Sequence, residues 1–156
     1  MGNPSFRDQD YSLLKLVNQT GELIVKIRER ELKQYGISPR QAATLFAMQS
    51  IGSEATPAKI SRWLLREPHT VSGILSRMEK QGLIKKAKNL DRKNMVRVML
   101  TRKGRRAYHQ SSKRDSIHWL ASSLSEEERQ QLRSCLETLR DRAFKELGID
   151  RKPLFP

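Results

Sequence analysis

TPAKISRWLLREPHTVSGILSRMEKQGLI, residues 56–84, decides how the rest of this 156-residue chain is read. Thr56 followed by Pro57 is a helix start, pairing a hydroxyl that can cap with a ring whose fixed φ suits the first helical position. Ile60, Trp63 and Leu64 follow at helical spacing before Pro68 interrupts. A second helix then aligns Val71, Ile74, Leu75 and Met78 in one stripe and stops at Gly82. Beyond Gly82 the period changes. Residues 83–88 and 95–100 read as two strands joined by the polar hairpin Asn89-Leu90-Asp91-Arg92-Lys93-Asn94. Two short helices followed by a hairpin make a winged helix-turn-helix.

Upstream, from residue 11 to about 34, Leu13, Val17, Ile24 and Ile27 recur at three-to-four spacing and imply a long amphipathic helix with Gly36 just beyond its end. SPRQ at 38–41 repeats the start signal as a full capping box and leads into Ala42, Leu45 and Phe46, with a stop at Gly52. Downstream, Thr101 can cap a helix running to about Ala121. Ser125-Glu126-Glu127-Glu128 is a second capping box, opening a helix with Leu132, Leu136, Leu139 and Ala143 on one face. The expected fold is mainly α with a small β-hairpin: a winged helix-turn-helix plus long terminal dimerisation helices. Residues 8–35 and 101–147 are expected to form the helical dimerisation region, because their apolar stripes exceed what one winged domain can cover. Residues 36–100 are expected to form the winged helix-turn-helix domain and 148–156 a tail.

Charge points to the partner. The net charge is +14 and the pI about 10.4, whereas solubility asks for a net charge of only about 2–8. Residues 83–114 hold twelve Lys or Arg against the single acid Asp91, while the last helix is nearly balanced. The excess is thus centred on the hairpin and the helix after it. Arg92, Lys93 and Asn94 at the hairpin tip, with Arg97 on the second strand, are placed to meet a phosphate backbone or a minor groove.

Other classes lack support. No apolar run approaches a membrane span and the N-terminus has no signal-peptide core. Cys135 is the only cysteine, which fits a reducing cytoplasm; lying on the apolar face of the last helix, it is expected to be buried and inert. Three scattered histidines and one cysteine have no metal spacing, no cofactor is implied, and no catalytic constellation argues for an enzyme. Trp63 and Trp119 are expected in packing rather than in base stacking.

At this point a family resemblance emerges. The stretch 56–84, with Pro68, Thr70 and Val71 before the second helix and Arg77, Glu79, Lys80, Gly82 and Leu83 at its end, resembles the MarR family of transcription regulators. LTRKG at 100–104 is similar to the family's LTxxG after the wing. The departures are Asp91-Arg92-Lys93 in place of Asp-x-Arg, Leu65 where a turn glycine is common, and Gly73 where a polar side chain is frequent. The resemblance implies a winged-helix homodimer on a palindromic operator, usually a repressor released by a small molecule, often an aromatic acid or phenol. Its effector would sit in the cleft between the dimer helices and the winged domain, where the sequence shows no cluster to identify it.

The second helix of the motif is then the recognition helix. With its apolar stripe facing inward, His69, Thr70, Ser72, Gly73 and Ser76 face out as small or polar groups that let a helix enter the major groove. Arg77 is a candidate phosphate clamp. Ser38 and Arg40 at one helix start, and Thr56 and Lys59 at another, are further backbone candidates. A nucleoid- or RNA-associated basic protein with little sequence specificity is the alternative, and it would not require that small outward face.

Overall fold

A computed structural model describes residues 8–88 and 95–149, and its elements follow the capping chemistry closely. Helix α1 (Gln9–Lys33) starts at Asp8, whose carboxylate accepts from the Tyr11 N–H at 3.0 Å. Helix α2 (Pro39–Ile51) opens with the full capping box: Ser38 Oγ accepts from Gln41 N at 3.2 Å, and Ser38 N donates to Gln41 Oε1 at 2.9 Å. It ends at Gly52, whose φ of +74° continues into a 3₁₀ turn at Gly52–Glu54. Thr56 caps α3 (Pro57–Leu64), and α4 (Pro68–Lys80) begins on its proline. Between α3 and α4, Leu65 holds a left-handed φ of +51°. The turn therefore keeps the conformation that favours glycine, although a leucine occupies it, at a cost of roughly 1–2 kcal/mol.

Strands β1 (Ile84–Lys88) and β2 (Val96–Leu100) pair antiparallel, from Ile84 opposite Leu100 to Lys88 opposite Val96. Their inward residues Ile84 and Val98 join a core built from Leu45, Met48, Ile60, Val71, Ile74, Leu75 and Met78, to which α1 contributes Leu32. The hairpin tip, with Arg92, Lys93 and Asn94, lies outside the described residues.

LTRKG has a structural explanation. Thr101 Oγ1 donates to the Gly82 carbonyl at 2.6 Å and accepts from Gly104 N at 3.0 Å, capping α5 (Arg102–Ser111) while tying it to the end of α4. A side chain at Gly104 would run into the carbonyl oxygen of Leu83, so only glycine fits.

Two expectations need correction. The helix from Thr101 does not run unbroken to Ala121. It ends at Ser111, Arg114 adopts a left-handed φ of +54°, and α6 (Asp115–Ala121) starts afresh. Ser111 and Ser112 hydroxyls donate to the Tyr108 carbonyl at 2.9 and 2.8 Å, closing the turn with side-chain bonds. Arg28 of α1 donates to the Ser111 carbonyl, and Ser116 Oγ to Glu31, so α1 holds the break open from outside. The second correction is Cys135 on α7 (Glu126–Glu146), which is exposed rather than buried. An apolar stripe is buried only where something covers it. No residue of α7 is buried within the chain.

Candidate nucleic-acid interface and a second cleft

Helix α4 presents the face the stripe implied. Val71, Ile74, Leu75 and Met78 are buried; His69, Ser72, Gly73 and Arg77 are exposed, with Thr70 and Ser76 half-buried at the edge. A Cβ built at Gly73 meets nothing within 4 Å. The chain's own packing thus has no need of glycine there, in contrast to Gly104. What a missing side chain does offer at Gly73 is close approach by another molecule.

Candidates far apart in sequence converge. Ser38 and Arg40 at the start of α2 share a groove of ≈ 490 Å³ with Arg77 and Gln81 of α4. The groove is locked by Gln41 Nε2 donating to Gln81 Oε1 at 2.7 Å. Arg77 Nε donates to the Gly73 carbonyl at 3.3 Å, and Arg77 lines the groove together with the exposed Arg40. Thr56 is buried and occupied with capping Lys59 N at 3.2 Å. Lys59 and Arg97 meet across Glu54, at 3.7 and 3.2 Å from its carboxylate oxygens.

A second site was not legible in the sequence. Between α1, α2, α3 and the α5–α6 break lies a cleft of ≈ 590 Å³ with Ile24, Val25, Ala42, Ala43 and Ile117 among its apolar walls. Phe46 and Trp63 meet edge-on in it, with centroids 5.5 Å apart, and Tyr108 stacks on Phe46 at 6.5 Å. Two arginines border it in different states. Arg28 Nη1 sits 2.5 Å from Glu31 and Nη2 binds the Ser111 carbonyl, so its charge is answered. Arg114 lies 4.8 Å over the Phe46 ring, with no carboxylate partner among the described residues.

Burial works to raise the Glu31 carboxyl, but hydrogen bonds from Ser116 and Arg28, together with the Arg28 charge, outweigh it and hold the group below its ordinary value. These residues come from positions 24–46, 63 and 108–117, each segment unremarkable alone. Among the described residues there is no group that could hold a metal and no helix long and apolar enough to cross a membrane.

The sequence model of the MarR family matches residues 35–105. The chain is similar to the ligand-free organohalide-sensing transcriptional regulator RdhR-CbdbA1625, with 32% identity and a TM-score of 0.88 over 100% of this chain and 95% of that one. The 2,4-dichlorophenol-bound form of that regulator aligns at 34% identity and a TM-score of 0.82, over 91% of this chain and 86% of that one. The chain is also 26% identical over 98 residues to the uncharacterized HTH-type transcriptional regulator YwoH of Bacillus subtilis (strain 168), spanning 63% of this chain and 70% of the relative.

Proposed function

The chain belongs to the MarR family of transcriptional regulators, and from that premise we propose that it binds a palindromic operator as a homodimer, represses there, and is released by a small aromatic molecule. The observation that carries the sequence-specific reading is the outward face of α4. His69, Ser72 and an unobstructed Gly73 stand on a helix whose opposite face is fully buried. A basic protein that follows only the backbone has no use for a small-residue groove face. On this reading His69, Thr70, Ser72, Gly73 and Ser76 read or admit base edges, Ser38, Arg40 and Arg77 grip phosphates, and the wing cations Arg92 and Lys93 with Asn94 add groove or phosphate contacts.

The dimer reading rests on uncovered apolar surface. Tyr11, Leu13, Leu14 and Leu16 of α1, Trp119 of α6, and Leu132, Leu136 and Leu139 of α7 are all exposed in the single chain. A two-fold partner would cover them and set two α4 helices about one helical turn apart on DNA, which makes the operator palindromic. Residues 8–35 and 101–147 would then be mainly dimerisation region, although α5 also packs its Ala107 into the winged core.

The effector reading rests on the Phe46–Trp63 cleft. Its volume and apolar, aromatic walls suit a single aromatic ring, and Arg114 offers a cation to an oxygen on it. A halogenated phenol, as in the similar regulator, is the first compound to try. The test selects duplexes from a randomised library with the purified chain, then titrates the winner and its scrambled version at matched salt. Enrichment of an inverted repeat, and its release by 2,4-dichlorophenol with quenching of Trp63 in a Trp119→Phe background, is the expected result. Equal affinity for both duplexes would establish the nucleoid- or RNA-type alternative instead.

A further inference from the structure

The wing is rooted on the turn between α2 and α3. Val98 N donates to the Ala55 carbonyl at 2.9 Å, and Ala55 is only 1% exposed. Beside this bond, Glu54 reaches both neighbours: Oε1 lies 3.2 Å from Arg97 Nη2 on β2, and Oε2 lies 3.7 Å from Lys59 Nζ on α3. Arg97 Nε is shut off from solvent with no acceptor among the described residues. Its side chain is thus laid along the protein with the head turned to Glu54, rather than extended toward solvent. An acid at the root of a wing that binds DNA would repel the partner of a +14 protein, so its place between two cations calls for a different benefit.

We propose that Glu54 is a positioning residue for DNA binding: through Arg97 and Lys59 it sets the angle at which the wing leaves the winged domain. Arg97 and Lys59 then serve this bridge rather than the phosphates. The inference rests on the reading of the chain as a sequence-specific DNA binder. Its physical basis is that a two-stranded ribbon has little stiffness of its own. The direction of such a ribbon is set at its root, where Ile84 and Val98 pack into the core and Val98 N holds the Ala55 carbonyl. The Glu54 bridge adds a polar attachment on the β2 side, as Lys86 beside Glu79 at 3.2 Å does on β1.

The opposing account is that Glu54 merely masks two phosphate-binding cations, and the two accounts differ in sign. Affinities are measured for the library-selected duplex and its scrambled version across a salt series. If Glu54 positions the wing, Glu54→Ala weakens the selected duplex at least fivefold although it removes a negative charge. Scrambled DNA then changes less than twofold, and the salt slope does not steepen on either duplex. Tighter binding to both duplexes with a slope steeper by about 0.9 per freed cation would overturn the proposal. Arg97→Met approaches the bridge from the other side. It should reproduce the selective loss and add little to Glu54→Ala, as expected for two residues of one contact. An equal loss on both duplexes with the slope reduced by about 0.9 would make Arg97 a phosphate contact and overturn the proposal by a second route. A wild-type chain that enriches no sequence would overturn the DNA-reading premise as well, an outcome visible before any variant is measured.

Discussion

The winged domain and the terminal helices are built from the same kinds of residue and end in opposite states. Leu45, Ile60, Val71, Leu75 and Met78 in α2–α4 are almost wholly buried within one chain. Leu16 of α1, Trp119 of α6 and Leu132 of α7 remain 59%, 69% and 47% exposed. Helical periodicity is equally clear in both regions. It tells which side of a helix is apolar and says nothing about whether the same chain covers it. The winged domain, with Leu32 of α1 and Ala107 of α5, closes its core within one chain, while α1, α6 and α7 leave apolar side chains uncovered. Cys135 shows the difference in one residue: its stripe was correctly placed, and its burial within the chain was not.

The strongest way to break this comparison is to charge the open face. Leu132→Glu with Leu136→Glu touches nothing in the winged core, so helix content should be kept while light scattering shows single chains. Losing the second half-site should weaken the selected duplex by roughly 10²–10⁴-fold. A double variant that stays dimeric would mean that α7 is not the dimer face.

Within the winged domain, Gly104→Ala should destabilise by about 1–3 kcal/mol or more, because the added methyl meets the Leu83 carbonyl and backbone must move. Denaturant unfolding measures this, and an unchanged midpoint would refute the close approach.

Glu31→Gln tests the seam where the two regions join. Replacing the carboxylate that accepts from Arg28 and Ser116 by an uncharged amide with a single acceptor oxygen should lower stability at neutral pH by about 1–3 kcal/mol. The sign of its pH dependence follows from the depressed carboxyl. The stabilisation is complete above the ordinary value of 4.5 and fades as pH falls through the lower folded value. The wild type and the variant should therefore converge in thermal stability only in acid. A difference that persists there would show that shape, rather than charge, holds α1 to the α5–α6 break.

Gly73→Ala should give the smallest change in stability and the most informative change in binding. The open site accepts a methyl, and alanine in a helix interior is worth up to about 1 kcal/mol over glycine. The variant should therefore be slightly more stable and yet bind the selected duplex less tightly. Tighter binding would show that α4 does not approach DNA closely at this residue.

Most of the helix starts could be read in advance because their signals are local. Ser38 with Gln41, Thr56 with Lys59, Thr101 with Gly104 and Ser125 with Glu128 all act over three residues. The break after Ser111 was missed because two serines and a lysine do not forbid a helix. Arg28 and Glu31, some eighty residues earlier, hold it in place. The outward face of α4 was legible because an inward stripe defines its outward complement. The aromatic cleft was not, since Phe46, Trp63 and Arg114 share no period.

What the sequence by itself determined is therefore whatever a residue settles with neighbours within a turn or a strand pair: caps, stripes, the hairpin and the place of the positive charge. Tertiary structure decided which glycine is a packing necessity and which is a vacancy, that Arg97 and Lys59 face Glu54, and that an aromatic cleft opens beside Arg114. Those outcomes depend on distances between segments remote in the chain. A chain encodes such distances only through the simultaneous packing of all its elements, so no single stretch carries them.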